Sequence, residues 1–447
     1  MPSAHSTSSR AAEGAAALDN HWMPFTANRD FKADPKIFTA AEGVHYTSAD
    51  GHKILDGCSG LFTTPAGHGR RAIAEAVHDQ LLELDYTPSF LRGHPKAFAL
   101  AARIARMLPE GLDRIFFVNS GSEAVDTAMK MALAYHRARG EGQRTMFVSR
   151  ERAYHGVNFG GVALSGMIKN RQSFGPGLPG VVHMRHTWMA ENRFTKGQPE
   201  RGAELAEDLA RACATFGGDN IAACVVEPIA GSTGVLVPPA GYLERLREIC
   251  DQHGILLIFD EVICGFGRTG KAFAAQSFKV RPDIVTMAKA ITNGVQPMGA
   301  VAADRKIYDA IMAAAPEDTV EFFHGYTFSA HPAACAASMA TLDIYEQEHL
   351  FDRAAQLSAY FLDSVMALSD LPVVTDIRGY GMIAGIDFAP SGGPGIRGYE
   401  VQKRLFDAGL HVKTTGDCAI LAPAFVFEGG QVDEMCGVLR KVLSSYS

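Results

Sequence analysis

Across 447 residues there are only two tryptophans, and no apolar run approaches the roughly 20 residues needed to cross a bilayer. A membrane-spanning helix is therefore not expected. Positive charge is not in excess either. Lys and Arg number 42 against 49 Asp and Glu, a formal charge of −7, so no basic field is available to attract nucleic acid or anionic lipid. Cysteine is dispersed: Cys58, Cys213, Cys224, Cys250, Cys264, Cys335, Cys418 and Cys436 form no CxxC pair and no metal-ligand spacing. No metal is expected. Several of these thiols lie in apolar runs, which fits buried, reduced cysteines in a cytoplasmic protein. Residues 1–20 are rich in Ala and Ser and lack the apolar core of a secretory signal, so they read as a mobile tail. No P-loop pattern occurs, and the glycine-rich stretch at 265–270 does not open a helix, which removes the dinucleotide fingerprint.

What is present is an alternation of short apolar runs with amphipathic stretches between about residues 66 and 332. Residues 114–118, 145–148, 221–226, 255–259 and 284–287 are candidate strands. Helical patterns at 123–139 and 242–253 are stopped by Gly140 and Gly254. This is the pattern of an α/β domain with a mostly parallel sheet. Residues 21–65 have short hairpin-like runs with a turn at Ser48-Ala49-Asp50-Gly51, and residues 333–447 mix helices with short strands at 373–377, 382–388 and 419–421. Both chain ends together read as a smaller α+β domain.

Asp260 closes one apolar run and Lys289 follows another. Open α/β sheets bind ligands at the carboxyl ends of their strands. An amine and an acid placed there suit pyridoxal phosphate, which takes a lysine as its Schiff-base partner and an acid to keep its ring nitrogen protonated. Taken singly, the lysine reads more readily as a surface charge and the acid as a helix cap. Asn119-Ser120-Gly121-Ser122-Glu123 joins a strand to a helix, and Gly121 and Ser122 could seat a phosphate there. Ser120 or Ser122 also reads as a plain cap. Tyr154 could stack on a flat ring with His155 in support, and Glu227 ends a strand where an unpartnered carboxylate would be costly.

The order of phosphate loop, aromatic, two strand-end acids and lysine resembles the class III (omega) aminotransferases, of the fold type I of pyridoxal phosphate enzymes. The resemblance rests on HWMPFTANRDF at 21–31, FFVNSGSEAVDTAMK at 116–130, AYHG at 153–156, VVEPIAGSTG at 225–234, LLIFDEVICGFGRTG at 256–270, MAKAITNG at 287–294 and HGYTFSAHP at 324–332. It implies a large domain with a mostly parallel seven-stranded sheet sandwiched by helices. It makes Lys289 the Schiff-base lysine and Asp260 the partner of the ring nitrogen. Gly121 and Ser122, beside Ser120, become the phosphate loop, Tyr154 and Val262 the two faces of the ring site, and Glu227 a support behind it. Thr327 matches a threonine that reaches the phosphate from a neighbouring subunit, so the site implies at least a homodimer. The sequence does not distinguish that from a homotetramer.

Substrate class is where the family divides. Branches that use 2-oxoglutarate carry Gln-Gly-Glu-Gly-Gly after the Glu-Pro. This chain has Ala230-Gly231-Ser232-Thr233-Gly234 and resembles the omega-amino acid (β-alanine):pyruvate branch. That implies an amino donor and a keto-acid acceptor, pyruvate becoming L-alanine by a ping-pong route. Lys413 stands where an arginine usually binds the substrate carboxylate. A lysine supplies the charge without the bidentate fork, and Arg92 is the alternative cation if Lys413 is only a surface residue. Phe62 replaces a common tryptophan. Trp22, Phe25, Leu61 and, from a partner subunit, Phe90 complete an apolar wall that would also take amines without a carboxylate. An (S)-amine:pyruvate transaminase, an aminomutase and a decarboxylating transaminase are the alternatives. A non-catalytic protein of this fold would be expected to lose Lys289 or Asp260.

Overall fold

Four consecutive strands of the chain are buried along their whole length, and they organise the molecule. In the computed structural model, which describes residues 18–175 and 177–446, the first strands are β1 (Phe38–Glu42), β2 (His45–Ser48) and β3 (Lys53–Asp56). The middle of the chain gives β4 (Arg114–Val118), β5 (Met146–Arg150), β6 (Val181–Met184), β7 (Ile221–Val226), β8 (Leu256–Asp260), β9 (Ile284–Met287) and β10 (Gly299–Ala303). The last part gives β11 (Val374–Tyr380), β12 (Ile383–Phe388), β13 (Leu410–His411), β14 (Lys413–Thr415) and β15 (Cys418–Leu421). Of the tail expected at 1–20, residues 1–17 lie outside the described residues, and residues 18–20 are helical.

The middle strands form one seven-stranded sheet in the order β4-β10-β9-β8-β7-β5-β6. All neighbours are parallel except β10, which runs antiparallel to β4 and β9. β7 to β10 are buried throughout. Being covered on both faces is why they read as unbroken apolar runs. Successive residues go to opposite sides: Cys224, Val226, Leu257 and Phe259 join one hydrophobic cluster, and Ala223, Val225, Leu256 and Ile258 join another. The helix Gly121–Ala138 packs across β10, β9 and β7, and the helix Tyr242–His253 packs on β8.

Two four-stranded sheets flank this core, ordered β1-β2-β3-β13 and β11-β12-β15-β14. β13 pairs parallel with β3, Leu410 opposite Leu55, so the two ends of the chain build one sheet. The Ser48-to-Gly51 turn is present, closed by Ser48 N–H donating to the His52 carbonyl at 2.9 Å, with Gly51 at φ +84°.

β6 and β10 have no counterpart among the expected strands. β10 is Gly-Ala-Val-Ala-Ala, and small residues carry little strand signal of their own. Its smallness has a structural reason: a Cβ on Gly299 would stand 2.7 Å from the Ser120 carbonyl oxygen and 3.0 Å from that of Met287. The strand has to be slim where the turn after β4 crosses it.

Candidate active site

β4, β5, β7, β8 and β9 present their carboxyl ends on one side of the sheet, and a cavity of about 210 Å³ opens there. Ser120, Gly121, Ser122, Tyr154, His155, Glu227, Asp260, Val262 and Lys289 all line it. Ser120 is the cap that its residue type suggests. Its hydroxyl accepts the Glu123 N–H at 3.2 Å, while the Glu123 carboxylate accepts the Asn119 N–H at 2.7 Å. Gly121 and Ser122 form the first turn beyond it, where backbone N–H groups have no partner inside the helix. Gly121 is needed because its Cβ would sit 2.9 Å from Val262 Cγ1. Ser122 is not a cap. Its hydroxyl accepts the Val157 N–H at 3.0 Å and so ties the first turn of the helix to the Tyr154 loop.

Glu227 is buried, and Oε1 accepts the Tyr154 N–H at 3.0 Å. Burial pushes its carboxyl up to about 7, with the nearby Asp260 adding and His155 opposing. Asp260 Oδ2 pairs with His155 Nδ1 at 2.8 Å, and Oδ1 accepts from Thr286 Oγ1 at 3.0 Å and the Val262 N–H at 3.2 Å. His155 Nε2 is buried with no partner among the described residues. Lys289 opens a short turn at φ +51°. Burial holds its amine below the usual lysine range. Lys413 acts the same way, and Asp260 opposes them.

This donor set fits a phosphorylated pyridine aldehyde. One end offers free N–H groups and a hydroxyl at the start of an 18-residue helix, where anions are stabilised. The lining also offers a carboxylate held by three hydrogen bonds and a desolvated amine. No set of three or more metal-ligating side chains is grouped among the described residues.

The wall expected for the substrate is dispersed in the single chain. Phe62 is buried in the cluster that includes Cys58 and Ile229, and it does not itself line the cavity. Trp22 is 88% exposed, and Phe25, Leu61 and Phe90 are also on the surface. Lys413 does not line the cavity, although its charge is felt at Lys289. Its Nζ donates to Thr415 Oγ1 at 2.7 Å. Arg92 is exposed and donates to the Leu91 carbonyl. Thr327 is exposed, its carbonyl accepting from Tyr86 Oη at 3.0 Å. Three lining residues, Gly156, Ser232 and Ile263, were not anticipated as site residues. Ser232 lies in the stretch that separates the substrate branches, and Gly156 and Ile263 each adjoin or nearly adjoin a predicted residue.

The aminotransferase class-III family model matches residues 27–443. The chain belongs to the class III aminotransferases. This aminotransferase is 53% identical to an omega-aminotransferase of Caulobacter vibrioides over 96% of its own length and 98% of the relative's. It is 47% identical to a β-alanine–pyruvate aminotransferase of Pseudomonas aeruginosa, over 96% of each chain. Among solved structures, an amine transaminase from an uncultivated Pseudomonas species in its PLP-bound form superposes with a TM-score of 0.88 at 34% identity, over 96% of this chain and 99% of the other. The aminotransferase thus carries the expected fold type and places every expected cofactor residue except Thr327 in one cavity.

Proposed function

We propose that this class III aminotransferase uses pyridoxal phosphate to move the amino group of an omega-amino acid of the β-alanine kind, or of a primary amine, to pyruvate, giving L-alanine. The observation that carries the reading is the meeting of Lys289, Asp260 and the Gly121–Ser122 turn in one cavity. The names of the relatives support the substrates. Gly121 and Ser122 would hold the phosphate, Tyr154 and Val262 the ring faces, and Asp260 the ring nitrogen. Pyridoxal phosphate, when bound, supplies an electrophilic carbonyl carbon and a cationic ring that takes up electrons. The chain does the rest. Burial shifts the Lys289 Nζ toward the neutral amine, the form that can take a proton from the donor carbon and return it. His155 and Thr286 hold the Asp260 carboxylate in place. Glu227 fixes the Tyr154 backbone. Lys413 supplies the positive charge for the donor carboxylate. Its bond to Thr415 favours a second reading, an (S)-amine:pyruvate transaminase with little carboxylate requirement.

We also place the division of the chain at 66 and 332, with residues 66–332 as the cofactor domain and 21–65 with 333–447 as the smaller one. The pairing of β13 with β3 supports this. A homodimer is supported by exposed Thr327, which does not line its own chain's cavity. A cytoplasmic setting is supported by eight unpaired cysteines, seven of them buried. The test is product formation. Holoenzyme with β-alanine and pyruvate should form L-alanine at least tenfold faster than it forms L-glutamate from 2-oxoglutarate, with parallel double-reciprocal plots. L-Glutamate as the faster product would overturn the acceptor.

A further inference from the structure

A second cavity of about 570 Å³ has no lining residue in common with the first, but draws on neighbouring stretches of the chain. Thr233 lines the second cavity and follows Ser232, which lines the first. Thr415 lines the second and accepts from Lys413 Nζ at 2.7 Å.

The charges around this second cavity are unequally committed. Asp387 and Asp417 are its acids. Both are spent within the chain. The Asp387 oxygens accept from Arg378 Nη1 at 2.7 Å and Nη2 at 2.9 Å. The Asp417 oxygens accept the N–H groups of Gly395 and Gly398, each at 3.0 Å. The cations are Arg152 and Lys169. Among the described residues, neither makes an ion pair with a carboxylate. Arg152 makes one side-chain hydrogen bond, Nη2 to the Thr233 carbonyl at 3.1 Å. A guanidinium has five N–H donors in a fixed fork, so most of this one is unused. Burial and the neighbouring Arg378 disfavour the charged form of Arg152, and Asp387 opposes them.

The backbone shows that this placement is built. Arg152 is held at φ +53°, a left-handed conformation that an arginine rarely adopts. Gly166 presses on it from the next loop: its carbonyl accepts the Arg152 N–H at 3.3 Å, and a Cβ on Gly166 would stand 2.4 Å from the Arg152 nitrogen. That contact fixes the start of the segment carrying Ile168 and Lys169 against the Arg152 backbone. Ile168 and Phe388 add apolar surface, and Trp188 also lines the cavity.

We infer that this cavity is a second anion site, which binds a small carboxylate with an apolar chain through Arg152, with Lys169 as the outer cation. Arg152 supplies a bidentate fork, the geometry that Lys413 lacks at the inner site. The binding claim is independent of the donor assigned above. The carboxylate has two possible sources, the far end of a long amino donor or a separate small ligand.

Trp188 is a built-in reporter, since Trp22 is the only other tryptophan. In a Trp22→Phe background, hexanoate should change Trp188 fluorescence saturably in the holoenzyme, and hexanamide should not. Arg152→Met should weaken hexanoate at least tenfold, Lys169→Met a few fold, and Arg152→Lys should restore part of the loss. Lys413→Met should weaken the binding less than Arg152→Met does. Equal binding of hexanoate by Arg152→Met and its parent, or equal response to amide and acid, overturns the site. Thermal melting of each variant separates a folding defect from lost binding. If the ligand is part of the donor, Arg152→Met raises KM for 6-aminohexanoate and not for hexylamine. If it is separate, both donors keep their KM and hexanoate does not compete with them.

Discussion

Lys289 takes φ +51° although it is not a glycine. Holding a side-chain-bearing residue there costs about 1–3 kcal/mol, a cost met in folded proteins mainly at functional positions. The reward is placement: Nζ comes from the end of β9 into a cavity whose other polar groups come from β4, β5, β7 and β8. Its chemistry is set by burial, which favours the neutral amine, and by Lys413, which adds to the effect. The free base is the working form during turnover, so kcat should rise with pH and level off at a pKa below the ordinary lysine value of 10.5. Removing a neighbouring positive charge in Lys413→Met should move that limb upward. A limb that stays put in Lys413→Met would contradict the electrostatic coupling, and one at 10.5 or above in the parent would contradict the desolvated amine.

At the scale of elements, the site is an assembly of strand ends and tight turns, and the turns have little slack. Gly156 sits at φ +96°, and a Cβ there would stand 2.5 Å from Ser122 Oγ. Gly156→Ala should therefore push the Tyr154 loop off the start of the helix Gly121–Ala138. We expect a stability loss of about 1–3 kcal/mol, the usual range for overpacking, with cofactor released on dialysis. A variant that keeps both its melting temperature and its cofactor would show that the contact is not limiting. The buried strands were legible in sequence because burial on both faces leaves long apolar runs, and the start of the helix after β4 because Ser-Gly-Ser-Glu has the chemistry of a cap. β10 was not legible, since alanine and glycine there answer to the Ser120 turn and not to strand propensity. In the site, the motif residues fell together because each follows a strand end. The dispersed wall of Trp22, Phe25 and Phe90 did not, because their placement depends on surfaces that one chain does not complete. Nor was the Arg152 cavity legible, since its charge balance depends on pairs such as Arg378 with Asp387, which sequence spacing does not reveal.

At the scale of the molecule, one group of exposed apolar residues lies where two segments meet. Leu91 is 86% and Phe323 87% exposed, and Phe90, Phe98 and Phe328 are exposed with them. Ser89 Oγ donates to the Ser329 carbonyl at 2.6 Å, and Tyr86 Oη to that of Thr327 at 3.0 Å, so the two stretches lie side by side. An apolar patch of this kind fits the proposed homodimer. Sedimentation should give a mass of at least two chains, and Leu91→Asp with Phe98→Asp should yield a monomer that loses both cofactor and activity. An active monomer would contradict the shared site. The central claim, that Lys289 and its cavity pass an amino group from an omega-amino acid to pyruvate, is tested most directly in the half-reaction. Yellow holoenzyme is mixed with β-alanine, and separately with (S)-1-phenylethylamine, without an acceptor, while the visible band is followed. The account predicts bleaching by β-alanine that pyruvate reverses and 2-oxoglutarate does not. Bleaching by the carboxylate-free amine alone would move the enzyme to the amine transaminase reading. No bleaching by either donor would contradict the account.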